Sequence, residues 1–497
     1  VLSIPQGRVA ARTSQQIALL VGALLVIGFS VPAGAHAVLL GSSPAADEVL
    51  AESPDEIVLN FNENVGPIFI KVLDGSGKEV GEPGEWRVDG NDVFLPLGVT
   101  LENGTYILTY RVISADTHPV GSTLVFAVGE AIRDLSDTSV ESGDTRWTWV
   151  VAANRTLLYA AMLLAAGSAL LLLLMAWSDE MLRMISAQGR FAAALAAIAY
   201  VLAVGLGGAE MLLGGATALF SPETWRQGLQ STLLPSALIG LPGMAVLFLV
   251  FRQSLPSTLG LIAGAGLAIA SFLVTGHAAT APPVWLMAVA VAVHLACAAF
   301  WIAALRPLVT AMRMPDRPAA GAIARTFSDR AVWFVAALVG TGLVISFVQV
   351  ESLANLTATD YGVRLLVKLG LFLLVLALAA FNKLRLTPRL EAGASEAGDS
   401  LARSIRVETG VMVLILAAAV SLTLPSPPRT AMAASAAASA AAGGAVVTTG
   451  ENRGYSVRVE ISPGRTGANM VMFSFTGSDG QPVAMQRVDT IWALPAA

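Results

Sequence analysis

The apolar positions of this chain follow two different periods. Between residues 36 and 130 they alternate with polar ones, as in Glu56-Ile57-Val58-Leu59-Asn60-Phe61, Ile68-Phe69-Ile70-Lys71-Val72-Leu73 and Thr105-Tyr106-Ile107-Leu108-Thr109-Tyr110-Arg111-Val112. A period of two predicts half-buried strands, and turn signals bound them: Ser53-Pro54, Asp74-Gly75-Ser76-Gly77, Asp89-Gly90-Asn91-Asp92 and Glu102-Asn103-Gly104. Strands at that spacing predict a small all-β sandwich or barrel. From 148 to 425 the alternation gives way to predominantly apolar runs with few charges. Each has about the 20 residues that a helix needs to cross a bilayer. Eight runs, at 148–176, 190–214, 232–251, 258–276, 283–305, 331–350, 362–382 and 405–425, predict an all-α eight-helix transmembrane bundle.

The remaining segments frame these two. Residues 1–35 read as a secretory signal peptide: Arg8 and Arg12 are basic, Ile17 to Phe29 is uncharged, and Ala33-Gly34-Ala35 offers a small-residue cleavage site. Residues 131–147 form a polar linker rich in Asp and Ser, and 426–449 an Ala/Gly/Ser-rich spacer. Residues 450–497 return to β character (Tyr455-Ser456-Val457-Arg458-Val459-Glu460-Ile461, then Met470-Val471-Met472) and are expected to be a partial extracytoplasmic domain.

Composition agrees with a multidomain membrane protein. Of 497 residues 55% are hydrophobic and 13% charged, with a mean hydropathy of +0.69. The net charge of -5 comes without a basic tract, so no nucleic-acid partner is expected. No phosphate-binding Gly-x-x-x-x-Gly-Lys loop is present, which argues against a built-in ATPase. Basic residues set the orientation. Arg183, Arg190, Arg252, Arg306, Arg313, Arg317, Arg325, Arg330, Lys383, Arg385, Arg389, Arg403 and Arg406 fall on one set of loops, whereas the opposite set offers Arg226 and Arg364. The expected location is a bacterial plasma (inner) membrane, multi-pass, with the N- and C-terminal domains extracytoplasmic. Trp147, Trp149, Trp177, Trp285 and Trp333 lie near span ends, as an aromatic belt requires.

Candidate chemistry narrows the picture further. The four histidines are His36, His118, His277 and His294, and Cys297 is the single cysteine, which excludes an intrachain disulfide. Cleavage after Ala35 would make His36 the first mature residue, freeing an α-amine beside the ring Nδ1 as a metal chelate. Asp116 and His118 lie two apart, so in a strand they present a carboxylate and an imidazole to one side. Three nitrogens and an oxygen suit tetragonal Cu(II). No Met or Cys occurs between His36 and Asp144, so soft Cu(I) ligands are absent from this stretch.

With those residues in view, His36-Ala37, Ser43-Pro44-Ala45, Phe61-Asn62-Glu63-Asn64-Val65 and Asp116-Thr117-His118-Pro119-Val120 resemble the CopC family of periplasmic copper-binding proteins. The resemblance implies a cupredoxin-like Greek-key β fold that binds Cu(II) through a histidine brace. It implies His36, Asp116 and His118 as ligands and Glu63 as a residue supporting them. Ser122 stands where that family usually has glycine. Gly276-His277-Ala278, His294 to Trp301, Tyr361-Gly362 with Lys368, and Phe381-Asn382-Lys383 resemble the more loosely defined CopD family, often fused to CopC. Its usual Trp-x-Gly-Gly is Trp301-Ile302-Ala303-Ala304 here.

The membrane residues keep two readings each. His294 lies about 15 Å deep at 1.5 Å per residue from Val284. A polar group at that depth is usually functional but also serves inter-helix hydrogen bonding. Cys297 and Trp301 share its helix face. His277, His294, Cys297, Glu210 and Met211 together form a candidate copper path. The resulting expectation is a non-enzymatic copper-transport protein working between the bilayer, copper ions and periplasmic copper chaperones. Two alternatives are a b-type haem electron-transfer protein using His277 and His294, and a histidine-brace copper oxidase. The first requires both histidines at one depth, and the second a flat aromatic face that the β segment does not show.

Overall fold

The computed structural model describes residues 37, 39–61, 64–80, 86–113, 119–132, 145–212, 214–229, 231, 233–274, 281–394, 396–423, 427–429, 446–452, 455–462 and 470–476. Eight strands come first: β1 Leu39–Ser43, β2 Val49–Leu50, β3 Glu56–Phe61, β4 Gly66–Asp74, β5 Arg87–Asp89, β6 Asp92–Pro96, β7 Gly104–Ile113 and β8 Pro119–Val128. They form two four-stranded sheets, ordered β1-β3-β6-β5 and β2-β8-β7-β4. Neighbours pair antiparallel except β2 with β8. The alternation read in the sequence decides the inner faces. Ile57, Leu59 and Phe61 of β3 point inward with no exposure, as do Leu108, Val112 and Phe126 from the second sheet. The Phe61 and Tyr110 rings meet edge to face at 5.7 Å and tie one sheet to the other. Pairs of that geometry add about 0.5–1.5 kcal/mol beyond area burial.

Eight apolar helices follow: α1 Thr145–Leu174, α2 Asp179–Met211, α3 Leu233–Val250, α4 Thr258–Ala270, α5 Val284–Ala311, α6 Arg317–Val350, α7 Asp360–Phe381 and α8 Ala397–Ser421. Seven are long and apolar enough to cross a membrane. The eighth expected span is shorter than its sequence run. α4 has 13 residues, about 20 Å at 1.5 Å per residue against a hydrocarbon core of about 30 Å. It ends where Ser271 turns its hydroxyl back onto Ala268 O at 2.7 Å. Boundaries also differ from the apolar runs. α2 begins at Asp179 because the Ser178 hydroxyl caps Met181 N–H, and α6 begins at Arg317 because Asp316 caps Ala319 N–H. Beyond the bundle, β9 Val446–Asn452, β10 Tyr455–Ser462 and β11 Met470–Thr476 form an antiparallel sheet in the order β11-β10-β9.

Small residues and a few polar ones fix the crossings. Gly167 of α1 lies so close to α5 that a Cβ there would run into the Ala299 carbonyl. One turn away Gln188 of α2 donates to Ser168 Oγ of α1 (3.2 Å) and to the Ala303 carbonyl of α5 (3.0 Å). Tyr200 of α2 shares its hydroxyl with Ser236 Oγ of α3 (3.1 Å) and Ser271 Oγ beyond α4 (3.3 Å). Phe300 of α5 stacks on Phe334 of α6 at 4.0 Å. Because helices in lipid associate through close packing rather than water exclusion, Gly167→Val is expected to cost at least the roughly 1–3 kcal/mol of an overpacked core. Gly340→Ala, with open space around its Cβ, should leave stability unchanged. Thermal unfolding of the detergent-solubilised variants checks both.

Candidate metal centre

The strands bring four separated pieces of sequence to one end of the sandwich. β1 starts at Leu39, which pairs with Phe61 at the end of β3. β7 ends at Ile113, which pairs with Pro119 at the start of β8 and with Gly66 at the start of β4. These strand ends immediately adjoin the four candidate positions: His36 precedes β1, Glu63 follows β3, and Asp116 and His118 lie between β7 and β8. His36, Glu63, Asp116 and His118 themselves lie outside the described residues, as does His277. Among the described residues no three His, Cys, Asp or Glu side chains gather as a metal site.

The floor under that end of the sandwich is apolar. Phe61 is fully buried and Tyr110 nearly so. Burial pushes the Tyr110 phenol up to about 12, against a smaller opposing effect of its hydrogen bond to Ser122. Ser122 lies directly across from Tyr110 in the β7–β8 ladder, so the serine found in place of glycine gives the buried phenol a partner. Arg111, one residue on, has its guanidinium pKa lowered by burial, and the nearby Glu210 carboxylate partly offsets this. That places Glu210, at the end of α2, within electrostatic reach of the strand that leads to Asp116. Met211 beside it is buried.

Inside the bundle the structure gathers another set. His294 of α5 is half-buried, and its Nδ1 lies 3.2 Å from Thr341 Oγ1 of α6. The Thr341 hydroxyl already donates to the Ala337 carbonyl at 2.7 Å. The His294 ring rests against Gly342, where an added Cβ would come within 3.3 Å of Cε1. Lys368 of α7 is near enough for its charge to act on the imidazole. His294 and Thr341 therefore meet from two helices, with the Lys368 charge of a third within electrostatic reach. Cys297 does not join them: it is 5% exposed and sits in the main core. Lys368 stands in a CopD-like motif without an assigned role, and Thr341 stands in no motif. A hydroxyl within an apolar run was the available signal.

Geometry and topology define a class: a two-sheet β domain joined to a bundle of membrane-spanning length, with a few polar side chains linking helices inside the bundle. Comparison with known proteins makes the assignment specific. Residues 39–129 match the CopC domain model and residues 321–422 the model of copper resistance protein D, CopD. Over 472 residues the chain is 29% identical to the copper transport protein CutJ of Bacillus subtilis (strain 168), spanning 90% of this chain and 83% of that one. Over 114 residues it is 32% identical to copper resistance protein C of Escherichia coli, spanning 21% of this chain and 90% of that one. A crystal structure of CopC from Methylosinus trichosporium OB3b is 29% identical over 20% of this chain and 97% of that one, with a TM-score of 0.18. The chain belongs to the copper-resistance family, carrying a CopC domain and a CopD domain in one polypeptide.

Tyr110 provides a check on the sandwich. Its folded pKa lies above the reference value of 10.0, near 12. The neutral phenol is thus favoured in the folded state, and its contribution is complete below pH 10 and lost as pH rises towards 12. Ultraviolet titration of phenolate should show one tyrosine ionising together with loss of β structure. Tyr110→Phe should remove that coupling at a cost of roughly 0.5–1.5 kcal/mol, the net worth of one hydrogen bond.

Proposed function

We propose that this protein takes up copper: its exported domain captures Cu(II), and its membrane domain receives the metal. In this reading residues 36–130 are the capture domain, 148–425 the membrane domain, 1–35 the removed signal, and 131–147 and 426–449 connectors to a β-rich segment at 450–497. The α-amine and Nδ1 of His36, with His118 and Asp116, form a histidine brace in a cupredoxin-like Greek-key fold. Glu63 holds a ligand in orientation. The observation that carries this reading is the convergence of β1, β3, β7 and β8 at one end of the sandwich. Such a convergence would give residues distant in sequence a common neighbourhood, as a shared metal ion requires.

Transfer rests on proximity. Arg111 and Glu210 interact electrostatically, which supports a route from the capture domain to the outer end of α2. Glu210 and Met211 would receive copper there and pass it towards His277 and His294. Fusing donor and acceptor raises their effective concentration without a separate encounter, and periplasmic copper chaperones would load the capture domain. With α4 and its following turn counted as a span, the bundle has eight helices and the arginine-rich loops face the cytoplasm of a bacterial inner membrane.

Mass spectrometry of the mature chain should find His36 at the N-terminus, since only cleavage frees the amine. In a competition titration, alanine at His36, Asp116 and His118 together should abolish tight Cu(II) binding. Glu63→Ala should weaken it about 10–100-fold, as loss of an outer-shell partner does. Wild-type affinity in the triple variant would mean that the ligands are elsewhere.

A further inference from the structure

Three helices meet at one carboxyl group that the copper reading does not use. Glu408 of α8 is 4% exposed. It accepts hydrogen bonds from the Trp301 indole N–H of α5 and from Asn382 Nδ2, the latter opening the π-helical turn Asn382–Leu386 that closes α7. All three side chains line a cavity of about 260 Å³ whose other walls are mainly apolar, among them Phe327, Val335 and Leu376. The cavity sits towards the arginine-rich end of the bundle, between the C-terminal parts of α5 and α7 and the N-terminal parts of α6 and α8.

Among the described residues no Lys, Arg or His pairs with Glu408. Lys383, the other ionisable group on the wall, gives its ammonium to Asp329 of α6 at 3.0 Å. Arg325 of α6 pairs with Glu391, and Arg403 and Arg406 of α8 are exposed. α5 and α7 contribute only Trp301 and Asn382 to the carboxyl. Two opposing demands result. A carboxylate without a counter-cation is costly at this depth, while its two N–H donors favour the ionised form. Asn382 can serve both forms. Its Nδ2 donates to the carboxylate, and its Oδ1 is buried without a partner. A half-turn of the amide would present Oδ1 as the acceptor for a protonated carboxyl O–H.

We propose that Glu408 is a proton-binding site of the membrane domain, loading and releasing one proton through this cavity while Asn382 switches between donor and acceptor. The site holds whether or not copper passes through the bundle, and it gives the domain a cation other than copper to which its conformation can respond.

Dicyclohexylcarbodiimide tests this on the unmodified full-length protein in lipid nanodiscs. The reagent partitions into apolar cavities, where the O–H of a protonated acid adds across one of its C=N bonds to give an O-acylisourea, and acyl migration from oxygen to nitrogen leaves a stable N-acylurea. Mass spectrometry should find the Glu408 peptide labelled at low pH, with labelling falling about tenfold per pH unit once ionisation sets in. In Asn382→Leu, which removes a donor to the carboxylate, labelling should persist to higher pH. Absence of labelling at every pH, or labelling independent of pH, would overturn the proposal. Protection by sodium at fixed pH would overturn it differently, by making a metal cation the ligand. Glu408→Gln, which should lose the label, confirms the modified residue.

Discussion

A polar group inside a bilayer has no water to return to, and this constraint organises the helical part of the protein. Every hydrogen bond there must be found between helices or within one. The few polar side chains therefore mark the crossings. Gln188 joins α2 to α1 and α5, and Tyr200 joins α2 to α3 and the turn after α4. His294 joins α5 to α6, and Glu408 joins α8 to α5 and the end of α7. Close backbone approach at Gly167 lets the first of these bonds form. The proposed copper path and proton site both draw on this same small set of polar groups.

The β domain solves the opposite problem, since it folds in water and has no disulfide to help it. Its core comes from alternation alone, with Phe61, Leu108 and Phe126 closed between two sheets. Closing that core brings the chain back to one end of the sandwich four times, and the candidate copper ligands adjoin those returns. The charge interaction of Arg111 with Glu210 then relates the strand leading to Asp116 to the C-terminal end of α2. In the proposed function, this charge pair is what would connect capture with entry.

Much of this was legible in the sequence because both periods are strong. β3, β4 and β7 stand where alternation put them, and each apolar run corresponds to a helix. Boundaries were less legible because caps, not hydrophobicity, end helices: Ser178 and Asp316 start α2 and α6 well before their apolar runs begin. α4 was overestimated because composition does not register the turn made by Ser271. Of the site, His294 was visible as an isolated polar residue, but its partners Thr341 and Lys368 lie on helices far along the chain. Glu408 was passed over for the same reason, since its meaning depends on Trp301 and Asn382. Cys297 shares a helix with His294, yet packing turns it into the core.

The central claim is that copper captured outside enters through the helical domain. The copper content of cells expressing the full chain, compared with an empty vector and with His294→Leu, tests it most directly. Uptake through the bundle requires accumulation with the wild-type chain and vector-level copper with the variant, at equal membrane abundance. Copper content unchanged or lowered by the wild-type chain would contradict it.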